Sequence, residues 1–80
     1  MLIYDRQRTK IVNLNAMQCL ELKTHYAKGT YDVYCEAQEQ AFLLGRYKSI
    51  DRAAVAMNEI LKAYDKNERI FYMPQEQEEI

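Results

Sequence analysis

Proline occurs once in the 80 residues, glycine and cysteine twice each, and tryptophan not at all. So little proline and glycine excludes a collagen-like or low-complexity chain. With 49% hydrophobic and 29% charged residues, a wholly disordered chain is excluded as well. Cys19 and Cys35 are too few for a disulfide-stapled secreted fold and lack the close spacing of a zinc site, so a reduced, cytoplasmic setting is expected. Nowhere do about 18 apolar residues run together, and Asp5 and Arg6 interrupt the chain before a signal-peptide core can build up. No membrane span or export leader is expected.

Charge of one sign is also missing. Eleven Lys and Arg stand against twelve Asp and Glu, a formal net charge of −1, which argues against a surface built wholly to neutralise phosphates. The acidic residues are unevenly placed, however. Glu76, Glu78 and Glu79 crowd the last ten residues, leaving eleven basic against nine acidic residues in the first seventy. The expected organisation is a single domain over residues 1–74 and an acidic flexible tail over 75–80, since a chain of this length has room for one core only.

What is present is a change of period. The first half alternates with a period near two and the stretch after Ser49 with a period near 3.6, the pattern of strands followed by a helix. Leu2–Tyr4 and Lys10–Leu14 are short β-prone runs flanking a polar loop, and Asn13 and Asn15 mark a turn. Met17–Thr24 reads as the next strand and Tyr31–Ala37 as the clearest one. His25–Gly29 connects them as a hairpin loop in which Gly29 supplies a positive φ. Pairing Leu20 with Cys35 and Leu22 with Val33 puts every aliphatic side chain on one face and the two cysteines on opposite faces, which predicts no disulfide. Gln38–Gln40 is a polar turn. Ala41–Lys48 follows as a strand whose Phe42-Leu43-Leu44 run is apolar in both phases, with Gly45 as a candidate bulge.

Ser49 is a good N-cap and Asp51 suits the first turn of a helix from Ile50 to about Tyr64. Ile50, Ala53, Ala54, Met57, Ile60, Leu61 and Tyr64 recur at steps of three and four and predict its buried stripe. Asn67 fits the left-handed residue that ends it. Ile70–Met73 reads as a last short strand, stopped by Pro74. The pattern predicts an α+β fold: a curled antiparallel sheet of four to five strands with one C-terminal amphipathic helix packed on one face.

The stretch from Leu44-Gly45-Arg46-Tyr47-Lys48-Ser49-Ile50-Asp51-Arg52-Ala53 to Ile60-Leu61-Lys62-Ala63-Tyr64 resembles the strand-to-helix unit of small uncharacterised proteins encoded by Gram-positive bacteria and their phages and prophages. Lys10-Ile11-Val12-Asn13 and Tyr72-Met73-Pro74 are similar to the start and end of those proteins. The order of antiparallel strands and one C-terminal helix also resembles the latter part of bacterial pleckstrin-homology-like domains. Neither resemblance carries a catalytic residue with it. A phage or mobile-element setting is what the first implies.

Residues able to do chemistry are sparse. His25 is the only histidine, with no Ser, Cys or acid at a spacing that local sequence makes into a relay. Cys19 and Cys35 fall within predicted strands, whereas a nucleophilic cysteine needs a cationic or helix-N-terminal setting. Phosphate loops, metal-binding pairs and nucleophile elbows are missing. No catalytic residue, cofactor or metal is expected, and the chain reads as a non-enzyme.

Tyrosine is abundant, with seven in the chain, and tyrosine concentrates at interfaces. Tyr34 is expected on the sheet face opposite Val33 and Cys35, near Lys23, with Arg46 and Lys48 alongside. Lys23, Tyr34, Arg46 and Lys48 are therefore the candidate binding surface. The commoner role for such a group is cross-strand pairing that stabilises the sheet. The apolar excess at Phe42-Leu43-Leu44 exceeds what one helix can cover, so self-association through an uncovered face or an edge strand is expected. These features predict a cytoplasmic protein-interaction module that binds another protein or forms a homodimer; a host protein as that partner is what the resemblance to phage-encoded proteins implies. The alternative is a nucleic-acid-binding accessory protein using that tyrosine and basic face.

Overall fold

The computed structural model describes residues 1–75 except 17, 18, 26 and 38. Met17, Gln38 and the tail from Glu76 onward therefore lie outside the described residues. Along the chain come β1 (Leu2–Tyr4), β2 (Ile11–Asn13), a 3-10 turn (Leu14–Ala16), β3 (Cys19–His25), β4 (Thr30–Ala37), β5 (Gln40–Tyr47), α1 (Ile50–Asp65) and β6 (Ile70–Tyr72). The fold is α+β, but the strands do not form the expected single sheet of four to five. They form two three-stranded sheets, ordered β2-β1-β6 and β3-β4-β5.

Two features split the sheet. The turn at Leu14–Ala16, opened by the side chain of Asn13 accepting the Asn15 N–H at 3.0 Å, separates β2 from β3. The last strand then returns to the first: β6 pairs parallel with β1, Leu2 opposite Ile70 and Tyr4 opposite Tyr72. Flanking hydrogen bonds extend that pairing, from Leu2 N–H to Arg69 O at 2.8 Å and from Met73 N–H to Tyr4 O at 2.9 Å.

The β3–β4 register follows the hydrophobic pattern. Leu20 lies opposite Cys35 and Leu22 opposite Val33, and both cysteines are free. Gly29 has φ +63° as its loop requires. His25, expected in the loop, is instead the last residue of β3, opposite Thr30. Strand β5 holds a bulge: Val33 pairs with Gly45 and Tyr34 with Leu43, so Leu44 has no partner across the ladder. The extra residue lets Leu44 and Gly45 both turn inward. Phe42 and Leu44 thus both reach the core, and only Leu43 stays outside, half-buried beside Tyr34. The apolar excess that called for a second subunit is largely resolved within one chain.

Ser49 caps α1, its hydroxyl accepting the Arg52 N–H at 3.1 Å. Asn67, at φ +57°, takes the left-handed conformation just beyond its end. The buried stripe differs from the expected one. Ala53, Ala56, Ile60 and Ala63 are buried, while Ile50, Leu61 and Tyr64 are 52%, 61% and 57% exposed. Three of these four buried residues are alanines, which let the helix axis approach β4 and β5 closely. One core joins Ile3 and Val12 from the small sheet, and Met73 just after β6, to Val33, Cys35, Leu44 and Tyr47 from the large one and to Ala53, Ala56 and Ile60 from the helix.

Candidate interaction surfaces

Strand alternation puts Glu21, Lys23, Asp32, Tyr34 and Arg46 on the outer face of β3-β4-β5. Three of the four expected binding residues meet there. The Lys23 ammonium stands 5.2 Å from the centroid of the Tyr34 ring. Arg46 grips Asp32 with two parallel bonds, Nε to Oδ1 at 2.9 Å and Nη2 to Oδ2 at 3.0 Å. Lys48 is exposed, one residue past the end of β5.

This face is balanced rather than basic. Asp32 is 2% exposed despite its outward phase, and both its carboxylate oxygens accept from the Arg46 guanidinium. The bonds that Arg46 donates to Asp32 raise the Arg46 pKa above its ordinary value, and that outweighs the opposing effect of burial. Glu21 sits 3.9 Å from the Lys23 ammonium. Lys23 and Arg46 thus each have an acid beside them, Glu21 on the same strand and Asp32 across the β4–β5 ladder; the latter is a cross-strand pair of the kind that stabilises a sheet, and the two acids reduce the potential available to attract a phosphate backbone.

Burial pushes the Cys35 thiol up, the reverse of what a nucleophile needs. Among the described residues no three His, Cys, Asp or Glu side chains gather where they could hold a metal ion.

A second surface lies on the small sheet. Each of its strands sends its middle residue inward: Ile3 and Val12 are buried and Phe71 is half-buried. The residues on either side point out. They form two rows, Asn13-Leu2-Ile70 and Ile11-Tyr4-Tyr72. Leu2 is 40% exposed, Ile70 48%, Tyr72 57% and Ile11 62%. Over this face stands Arg8, its guanidinium 5.3 Å from the Tyr4 ring centroid and 5.4 Å from that of Tyr72. The two rings are themselves 5.9 Å apart and tilted by 48°.

Comparison with protein-family models, curated proteins and solved structures finds no match to this chain. Function must therefore be argued from these surfaces.

The Arg8 stack is held rigidly. Arg8 donates from Nη2 to Met73 O at 3.0 Å and from Nη1 to the carbonyls of Tyr4 and Asp5, and Tyr4 Oη donates back to Arg8 O at 3.0 Å. Asp5 anchors the loop below. Its carboxylate accepts the N–H groups of Thr9 (2.8 Å) and Lys10 (3.0 Å) and the Thr9 hydroxyl (3.0 Å). Burial would raise the Asp5 pKa, but those donors and the Lys10 charge outweigh it and hold the group below its ordinary value. The surface is thus an ordered one, with aliphatic side chains around an arginine that stands over two adjacent tyrosine rings. The signal for it was present in Leu2-Ile3-Tyr4, Ile11-Val12 and Ile70-Phe71-Tyr72, which are apolar in both phases. Among the described residues no helix is long and apolar enough to cross a membrane.

Proposed function

We propose that this chain is a small non-enzymatic protein-interaction module whose contact surface is the outer face of β2-β1-β6. The observation that carries the reading is the coincidence, on one ordered face, of exposed Leu2, Ile11, Ile70 and Tyr72 with the Arg8 guanidinium held over two neighbouring tyrosine rings. Tyr and Arg are the residues enriched where binding energy concentrates, and aliphatic neighbours exclude water around them. Because Arg8 and Tyr4 are fixed by bonds to the backbone, little side-chain entropy is lost on contact. A cytoplasmic setting fits the two unpaired cysteines. The sequence resemblance adds a phage or mobile-element context, in which the module would occupy a host protein and so modify a host process.

Nucleic-acid binding through Lys23, Tyr34, Arg46 and Lys48 is the competing reading. The Lys23–Tyr34 stack favours it and the acids beside Lys23 and Arg46 oppose it. Capture from the native cell on immobilised protein separates the two. A protein ligand retained by the wild type and by Lys23→Glu, but bound about 30-fold more weakly by Ile11→Asp and Ile70→Asp, supports the proposal. Circular dichroism checks that each variant is folded. Loss of the ligand with Lys23→Glu but not with Ile11→Asp, or oligonucleotide affinity that falls steeply with salt, overturns it.

A further inference from the structure

Sheet edges are where an uncompensated chain recruits a partner, because the outer backbone N–H and C=O groups of an edge strand have no ladder to join. Most edges in this fold are closed. The bulge in β5 leaves the Leu44 carbonyl outside the β4–β5 ladder, and the Arg6 N–H takes it at 2.7 Å, while the Arg6 guanidinium covers the Arg46 carbonyl. Strands β2 and β6 are three residues long, and Pro74 follows soon after β6. Strand β3 is different. It runs seven residues, Cys19–His25, paired to β4 without a bulge and forming the outer edge of its sheet. No proline interrupts it. Its core-facing Leu20 and Leu22 are only partly buried.

The sequence of that edge is complementary to itself. An antiparallel pair of two β3 strands, related by a twofold axis at Leu22, sets Leu22 against Leu22 of the second copy. Leu20 then opposes Thr24 on the same inner face. On the outer face Glu21 opposes Lys23 twice, once on each side of the axis, and Cys19 opposes His25. Opposite charges directly across a strand pair are favourable and like charges unfavourable. Sliding the second copy by two residues in one direction would put Glu21 against Glu21, and in the other Lys23 against Lys23. A slip of one residue would set leucines against charged side chains. Only the register centred on Leu22 satisfies both faces.

We infer that the chain forms a homodimer by antiparallel pairing of β3 with β3 of a second copy, centred on Leu22, which joins the two large sheets into one of six strands. A twofold axis perpendicular to the sheet keeps the outer faces on one side, so the two Lys23–Tyr34 stacks become neighbours across the new seam. The small sheet and its Arg8 stack take no part, so the dimer stands or falls independently of the proposed partner surface.

A charge exchange tests the register. Glu21 and Lys23 side chains are 47% and 48% exposed, so reversing either is tolerated by the fold, which circular dichroism checks. Sedimentation equilibrium up to about 100 µM, where a weak interface is populated, should show a reversible dimer for the wild type. Glu21→Lys alone and Lys23→Glu alone should each weaken self-association about tenfold, because both symmetric contacts become repulsive. An equimolar mixture of the two variants restores opposite charges at both contacts and should recover the dimer. A wild type that stays monomeric throughout, single variants that dimerise undiminished, or a mixture no stronger than its components would each overturn the inference. Ile70→Asp should leave the dimer intact, and loss of the dimer in that variant would place the interface on the small sheet instead.

Discussion

Gly45 occupies a position where no side chain fits, and the reason can be tested quantitatively. A Cβ at that residue would stand 2.8 Å from both Cε2 and Oη of Tyr47 and 3.0 Å from its Cζ, well inside the roughly 3.5–4.0 Å of favourable carbon contact. The colliding atoms are the far end of a side chain, which in a solvated tyrosine would swing aside at little cost. Tyr47 is not free to do so. It is 2% exposed, its hydroxyl donates to the Pro74 carbonyl at 2.9 Å, and the Arg6 guanidinium lies 5.2 Å from its ring centroid. Moving the ring forfeits a hydrogen bond worth about 0.5–1.5 kcal/mol net and overpacks a core, typically at about 1–3 kcal/mol. Replacing a strand glycine returns only about 0.5–1 kcal/mol. Gly45→Ala should therefore destabilise the protein by about 1–3 kcal/mol, with each kcal/mol lowering the midpoint by about 4–8 °C. The diagnostic feature is its dependence on the ring. In a Tyr47→Leu background, where the phenol is gone, the same Gly45→Ala should be neutral or stabilising by about 0.5 kcal/mol. Urea denaturation of the four proteins gives the coupling energy directly. An equal cost for Gly45→Ala with and without the tyrosine would refute the steric argument.

Two further outcomes follow from the loop and the helix. Because the folded-state pKa of Asp5 is depressed, its stabilising contribution is fully present above the unfolded value near 4 and is lost as pH falls through the folded one. The urea midpoint should therefore drop on acidification below about pH 4, and Asp5→Asn should lower stability at pH 7 while flattening that acid dependence. Ser49→Ala removes the acceptor of the Arg52 N–H and should cost about 1 kcal/mol by the same denaturation assay, whereas Ser49→Asp should restore most of it.

The parts legible in the sequence are those where a single phase decides the matter. Leu20, Leu22, Val33 and Cys35 favoured the observed register of β3 on β4, since a slip of one residue would oppose leucines to Asp32 or Glu36, and Ser49 and Asn67 marked the helix ends through requirements local to the backbone. The split into two sheets was illegible for the opposite reason. Three-residue strands such as Leu2–Tyr4 and Ile70–Tyr72 carry no period, and their parallel pairing joins opposite ends of the chain. The helix stripe is rotated from the expected one: Ala56 and Ala63 join Ala53 and Ile60 against the strands, while Ile50, Leu61 and Tyr64 are exposed, and a helix apolar on so broad an arc does not by periodicity alone say which part of the arc is buried. On the candidate surface, alternation correctly brought Lys23, Tyr34 and Arg46 together, but Asp32 and Glu21 share their phase, and those acids decide the electrostatics.

The same short strands explain why the chain offers an apolar face at all. A strand of three residues in a half-buried sheet has one side chain for the core and two for the outside, so Ile3, Val12 and Phe71 are the whole inward contribution of β1, β2 and β6. Such a sheet is too small to hold itself by apolar burial, and polar bonds from the loop at residues 5–10 hold it in place. Arg6 N–H reaches Leu44 O, Arg8 reaches Met73 O, and the Gln75 side chain returns to Arg6 O at 2.7 Å. Once those bonds hold the sheet, its outward residues are free of any structural demand to be apolar, and solvent would favour Ser, Thr or Lys there. Leu2, Ile11, Ile70 and Tyr72 are apolar nonetheless, in a position where they add little to the fold and expose hydrophobic surface around a fixed arginine. That combination makes sense if the face is covered by another protein when the chain acts.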